Sequence, residues 1–164
     1  METIMAFKVF LSYSLDPSEE ALAWRLQTLA AAHGVEMFVP RRGGTPSQQK
    51  AYANEAMKAI NRSDCVLAII TGRTERAVEG ELKHALAEQK PVVPIVRSDL
   101  VGHPLLARFP QLFTFSPADN PGNLETQVVE FLKQQRLSKE KQQAMGALVS
   151  VGLGLLLLYS LSEN

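Results

Sequence analysis

The protein has 164 residues and a formal net charge of zero, because 17 lysine and arginine residues balance 17 aspartate and glutamate residues. Its hydrophobic fraction of 46% and charged fraction of 21% are typical of a globular protein and exclude a disordered or fibrous chain. Nucleic-acid binding lacks electrostatic support, and one cysteine with three scattered histidines shows no metal-ligand spacing.

The N-terminus and the cysteine content favour a cytoplasmic location for the folded part. Residues 1–10 contain no basic segment followed by a long apolar run, as a secretory signal would. The single cysteine, Cys65, cannot form an internal disulfide, which fits a reducing compartment.

The first part of the chain predicts a strand followed by a helix. Residues 7–13 (FKVFLSY) are apolar and rich in β-forming residues, as a buried strand is. Asp16, Pro17 and Glu19 then form a helix-start pattern, and Gly34 is a natural helix stop. The predicted apolar stripe of this helix is Leu22, Leu26 and Leu29.

The same order repeats in the next segment. Residues 35–39 (VEMFV) predict a second strand, and the loop after it contains Arg41 and Arg42. A helix-start pattern and an apolar stripe follow at Thr45, Pro46, Gln48, Ala53, Met57 and Ile60. Residues 65–70 (CVLAII) show no polar alternation, which indicates a parallel strand covered on both faces.

The second half continues the alternation. Residues 74–88 predict a helix, and residues 91–96 (PVVPIV) predict a short strand interrupted by proline. Residues 112–115 are a weaker fifth strand, and Asn123 is the predicted cap of a last helix. Alternating strands and helices indicate a parallel sheet, so we expect a flavodoxin-like three-layer α/β fold with five strands in the order 2-1-3-4-5. Ligands in such folds bind at the carboxyl ends of the strands.

The C-terminal segment has a different character. Residues 144–161 contain no charged side chain, and 18 helical residues would span roughly 27 Å, near the ~30 Å thickness of a bilayer core. The segment before it is basic, with Lys133, Arg136, Lys139 and Lys141. We therefore expect a single-pass transmembrane helix with the folded domain in the cytoplasm, and a buried or partner-facing helix is the alternative. The expected organisation is a domain at 1–132, a basic linker helix at 133–143 and the transmembrane helix at 144–161.

Three segments together resemble the TIR (Toll/interleukin-1 receptor) family. They are KVFLSYS at 8–14, AINRSDCVLAII at 59–70, and VEGELKHA at 78–85 followed by KPVVPI at 90–95. The resemblance rests on the order and spacing of these segments, and it covers about residues 7–132. The resemblance implies cleavage of NAD⁺ at the nicotinamide–ribose bond, or a non-enzymatic adaptor role, and bacterial members often act in antiphage defence signalling. It also implies that Glu81 is the helical glutamate that contacts the ribose, that NAD⁺ is a substrate with no further cofactor, and that the chain forms homo-oligomers.

The residues themselves support part of this assignment. On a helical wheel Glu81 lies beside the Val78/Ala85 stripe, on the sheet-facing side near the helix start, where a carboxylate can stabilise developing positive charge. We predict ligand contacts for Ser12, Tyr13 and Ser14 after the first strand, and pyrophosphate contacts for Arg41 and Arg42. The alternatives are a solvated Glu81, a tyrosine that only covers the sheet edge, and an arginine loop that mediates self-assembly.

One position departs from the family pattern. Enzymatic members usually carry a tryptophan shortly before the glutamate, and here that position is Ala77. The first hypothesis is a membrane-anchored NAD⁺ hydrolase or cyclase whose partners are a nucleotide and membrane lipid. The second is a non-catalytic sensor or assembly module whose transmembrane helix disrupts membranes, and the third is a deoxyribosyltransferase-like enzyme.

Overall fold

A computed structural model describes residues 7–14, 17–70, 76–100, 112–116 and 121–138. Strands and helices alternate along these residues. Their bounds are β1 (Phe7–Ser12), α1 (Pro17–Ala32), β2 (Val35–Phe38), α2 (Pro46–Arg62), β3 (Cys65–Ile70), α3 (Arg76–Ala87), β4 (Val92–Arg97), β5 (Phe113–Phe115) and α4 (Pro121–Ser138).

The five strands form one parallel sheet in the order β2-β1-β3-β4-β5, which confirms the predicted topology. Helix α1 packs against α4, and α2 packs against α3, so the sheet lies between two helical layers. Every residue of β3 is buried, as its unbroken apolar sequence predicts for a central strand. Because all strands are parallel, their carboxyl ends share one edge of the sheet.

Two of the predicted helix boundaries depend on specific local contacts. At the start of α2 the Thr45 side chain accepts a hydrogen bond from the Gln48 amide at 3.2 Å, and the Gln48 side chain accepts one from the Thr45 amide at 2.9 Å. This reciprocal pair is the predicted capping box. Beyond α1, Gly34 has a φ of 77°, a left-handed conformation that glycine adopts without steric cost.

The predicted apolar stripe of α1 is wrong at its last position. Leu29 is 36% exposed, and Ala30 is buried in its place beside Leu22 and Leu26. The buried apolar face of α1 consists of Leu22, Ala23, Leu26 and Ala30, and Leu29 lies beyond the edge of this face on the helix surface. The last helix also differs, because α4 begins at Pro121 instead of at the predicted cap, Asn123. Proline is well tolerated in the first turn of a helix.

Several predictions concern residues outside the described ranges. These include the cap at Asp16, the helix start at Thr74 and the transmembrane segment 144–161. Among the helices that the structure describes, none is long and apolar enough to cross a membrane. Helix α4 continues through residues 133–138, so the start of the basic segment belongs to the last helix of the domain.

Candidate functional site

Three segments bring polar side chains together at the carboxyl edge of the sheet. Ser12 and Tyr13 lie at the end of β1, and Arg42 lies on the loop that follows β2. Glu81 lies in the first half of α3, which starts at this edge and runs back along the sheet. The parallel topology therefore converges residues that are up to 69 positions apart in sequence.

Glu81 is buried. Its side chain is only 2% exposed, because Glu81 lies on the same face of α3 as Val78, Leu82 and Ala85. Ser12 Oγ donates a hydrogen bond to Glu81 Oε1 at 2.8 Å. This burial excludes the alternative that Glu81 is a solvated surface residue. A buried carboxylate requires compensation by hydrogen bonds and opposite charge, and the surrounding residues supply both.

Arg42 provides the opposite charge. Its Nη2 donates to Glu81 Oε1 at 2.6 Å, and its Nη1 pairs with Glu81 Oε2, so the two groups form a bidentate ion pair. Its Nε and Nη2 also donate to the Tyr13 carbonyl at 3.0 and 2.8 Å. Only 7% of the Arg42 side chain is exposed. In this structure Arg42 holds the carboxylate instead of presenting a free cation to a ligand.

Tyr13 connects β1 to the arginine loop. Its hydroxyl donates a hydrogen bond to the Pro40 carbonyl at 2.8 Å, and the Arg42 guanidinium lies 5.0 Å from the centre of its ring. Burial raises the pKa of the Tyr13 phenol; the charge of Arg42 opposes this increase, and the charges of Glu20 and Glu81 add to it. The phenol is therefore a neutral hydrogen-bond donor at physiological pH.

Ser14 bonds to a second buried carboxylate, that of Glu19. The Ser14 amide donates to Glu19 Oε1 at 3.0 Å, and the Ser14 hydroxyl donates to Glu19 Oε2. Glu19 lies near the start of α1 and is 1% exposed. These contacts join the segment that follows β1 to the start of α1.

A cavity of about 330 Å³ opens beside Glu81, between α2 and α3. Arg42 and Glu81 contribute to its lining, and Arg41 lines it from an exposed position on the loop. The helical walls include Tyr52, Ala53 and Met57 from α2, and Arg76, Ala77 and Gly80 from α3.

The structure thus separates the six predicted site residues into three groups. Ser12, Tyr13, Arg42 and Glu81 form one connected cluster, Arg41 lines the cavity, and Ser14 bonds to Glu19. Their roles stay predictions.

The predicted site did not include Glu19, which bonds to Ser14, or the cavity-lining residues Gly43, Gln49, Tyr52, Arg76 and Gly80. The signal that could have found Tyr52 lies in α2. Tyr52 directly precedes Ala53, which the sequence pattern assigned, with Met57, to the apolar stripe of this helix. Ala53 is instead exposed and Met57 half-buried in the cavity wall. Within the described ranges, no group of three or more His, Cys, Asp or Glu side chains could hold a metal ion.

Fold and site define an α/β domain with a buried helical glutamate beside a cavity at the carboxyl edge of a parallel sheet. The chain matches the TIR domain family over residues 9–128, and it belongs to that family. No curated protein matches the chain.

The solved structures to which the chain is similar come from several kinds of protein. The CMP N-glycosidase BcmB of Clostridium botulinum is 16% identical, with a TM-score of 0.48, over 77% of this chain and 98% of that one. The sugar isomerase domain of an RpiR transcription factor from Sphaerobacter thermophilus is 14% identical, with a TM-score of 0.49, over 94% and 77% of the two chains. Vibrio vulnificus NanR in complex with ManNAc-6P is 13% identical, with a TM-score of 0.47, over 98% and 58%.

Proposed function

We propose that this TIR domain cleaves the nicotinamide–ribose bond of NAD⁺, as a hydrolase or cyclase in defence signalling, with Glu81 as the central carboxylate. The observation that carries the proposal is the position of Glu81. It is buried, it lines a cavity large enough for a heterocyclic ring and a sugar, and two neighbouring residues hold its oxygens in place. A fixed carboxylate in a water-poor site suits a reaction that develops positive charge.

In this reaction the bond between ribose C1′ and the pyridinium nitrogen breaks. The electron pair goes to the nitrogen, so nicotinamide leaves as a neutral molecule and positive charge develops on C1′ and the ring oxygen. Glu81 stabilises that charge. Water, or a nucleophile of the same nucleotide, then adds to C1′ and loses a proton, which gives ADP-ribose or a cyclic product.

The contacts around Glu81 impose a condition on this mechanism. Arg42 and Ser12 already occupy its oxygens. A ribose can approach the carboxylate only if the Arg42 fork shifts or shares an oxygen with it. In that shifted position Arg42 can contact a phosphate, the role that its sequence position predicts.

The test measures NAD⁺ consumption and nicotinamide release by the purified full-length protein in lipid, over a range of protein concentrations. We expect Glu81→Ala to abolish turnover. Glu79→Ala is the matched control, because Glu79 lies two residues away on the same helix and is absent from the cavity lining. A steep rise of specific activity with protein concentration would support the proposed homo-oligomer. Turnover that survives Glu81→Ala would exclude the proposed role of Glu81. A wild type that shows no turnover at any protein concentration would exclude it as well.

The same ion pair favours a second candidate, a non-catalytic assembly module. Among the described residues that line the cavity, Glu81 is the only carboxylate, and Arg42 neutralises it. Ala77 also stands where enzymatic family members usually carry a tryptophan. Both features suit a domain that binds a ligand without cleaving it. The effect would then reach the membrane through residues 144–161.

A single substitution tests the membrane part of either candidate. Leu156→Arg places a charge in the middle of the uncharged segment, where insertion costs about 2.5–3.5 kcal/mol more. We expect the wild type, but not this variant, to resist extraction from membranes by alkaline carbonate. Dye leakage from liposomes without NAD⁺ turnover, lost in Leu156→Arg, would favour the assembly module over the enzyme. Equal extraction of wild type and variant would contradict anchoring by this segment.

A further inference from the structure

The two helical walls of the cavity differ in character. The α2 wall presents the aromatic ring of Tyr52 and the thioether of Met57. The α3 wall includes the small residues Ala77 and Gly80 beside Arg76 and Glu81. Apart from its chain neighbours and the backbone of its own helix, no atom lies within 4 Å of a methyl group added at Gly80, so this wall borders open space. The cavity, here called the slot, thus has an aromatic side chain on one helix and small residues on the other, a lining suited to a flat ring.

Two arginines beside this slot are without a charged partner. In the portion of the chain that the structure describes, Arg25, Arg42 and Arg97 each pair with a carboxylate, whereas Arg41 and Arg76 do not. Both line the cavity and both are exposed. Since Glu81 is already neutralised by Arg42, these two cations leave the cavity with a positive surplus that an anion can balance.

We propose that the cavity binds the base and the 5′-phosphate of a nucleotide: the base lies between Tyr52 and the Ala77–Gly80 wall, and the phosphate contacts Arg41 and Arg76. This inference rests on the proposed function, and it identifies where the leaving base of the nucleotide is held. Ala77 then has a role of its own, because its small side chain leaves room for the base. Tyr52 supplies the stacking surface from the opposite helix. Stacking on one side and charge-assisted hydrogen bonds beside it are together the chemistry of nucleotide recognition.

Nicotinamide mononucleotide is the smallest probe with the base, the ribose and the phosphate, and nicotinamide riboside is the same molecule without the phosphate. We expect calorimetry on the full-length protein to show binding of the mononucleotide that is at least tenfold tighter than that of the riboside. Arg76→Ala and Arg41→Ala each weaken mononucleotide binding about tenfold and leave riboside binding unchanged. Arg62→Ala is the control, since Arg62 is an exposed arginine of α2 outside this cavity.

Two further pairs of variants test the slot itself. Gly80→Leu projects a side chain into open space and should abolish binding without unfolding the protein, whereas Ala87→Leu adds the same side chain to an exposed position of α3 outside the cavity lining and should have no effect. Tyr52→Ala should weaken binding at least tenfold, and Tyr52→Phe should preserve it because the ring provides the stacking surface.

The outcomes separate this inference from the proposed hydrolysis. Binding that depends on Tyr52 and Gly80, without NAD⁺ turnover, supports the slot and rejects the enzyme. Turnover that requires Glu81 but is unchanged in Gly80→Leu rejects the slot and preserves the enzyme. No mononucleotide binding by the wild type at millimolar concentration, or equal affinity for mononucleotide and riboside, overturns the inference.

Discussion

Replacing Arg42 by alanine measures how much the domain depends on the buried ion pair with Glu81. The substitution removes two contacts to the carboxylate and two to the Tyr13 carbonyl, and it leaves a carboxylate that is 2% exposed with Ser12 as its remaining partner. Breaking a buried pair from one side costs about 3–5 kcal/mol. Arg41→Ala removes an exposed guanidinium from the adjacent position and should change the stability by less than about 0.5 kcal/mol.

Urea denaturation followed by circular dichroism gives both free energies of unfolding. We expect the midpoint to fall for Arg42→Ala with an unchanged slope, which identifies a change in stability and not in compactness. The double variant Arg42→Ala/Glu81→Gln completes a cycle. It should be more stable than the sum of the two single changes predicts, by up to about 3 kcal/mol, because neither charge is then left unpaired.

Two results would refute this reasoning. Equal destabilisation by Arg42→Ala and Arg41→Ala would mean that the ion pair contributes nothing in solution. Strict additivity in the cycle would mean that Glu81 and Arg42 do not interact.

Three other predictions concern stability and reactivity. Burial raises the pKa of the Cys65 thiol, which is fully buried in β3, so a thiol reagent should label this single cysteine no faster than the domain unfolds, and rapid labelling would contradict the core position. Thr45→Ala should cost about 1 kcal/mol in urea denaturation by removing the cap of α2, and an unchanged midpoint would contradict the capping box. The pKa of Tyr13 is raised in the folded state. The contribution of this phenol to stability is therefore complete below the unfolded pKa of about 10 and is lost as the pH rises through the folded pKa. Stability measured from pH 9 to 11 should therefore fall less steeply in Tyr13→Phe than in the wild type.

The sheet was predictable from the sequence because each central strand is a short apolar run between recognisable helix signals. Cys65–Ile70 is the clearest case, with observed bounds identical to the predicted ones. The errors arise where local patterns allow more than one solution. Leu29 lies three residues after Leu26 and Ala30 lies four residues after it. Both spacings fit one helix face, and only the packing of the whole helix shows that Ala30 occupies the core.

The site was less predictable, because sequence position does not determine which way a loop side chain points. Arg41 and Arg42 are chemically identical neighbours, and both were predicted to contact pyrophosphate. The structure separates them: Arg42 turns inward to Glu81 and Tyr13, and Arg41 stays exposed at the cavity. This choice depends on a carboxylate 39 residues away, which no local pattern encodes.

The different positions of Arg41 and Arg42 also bear on both candidate functions, the enzyme and the non-catalytic module. If the domain is an enzyme, the Arg42–Glu81 pair is a resting arrangement that a nucleotide opens, and the free energy of opening is supplied by contacts elsewhere in the cavity. Arg41 and Arg76 are the cations available for that purpose, since the structure shows no carboxylate paired with either within its described ranges. If the domain only binds, the pair stays closed and the same two cations still hold the phosphate. Mononucleotide affinity should therefore depend on Arg41 and Arg76 in both cases, and only turnover should depend on Glu81.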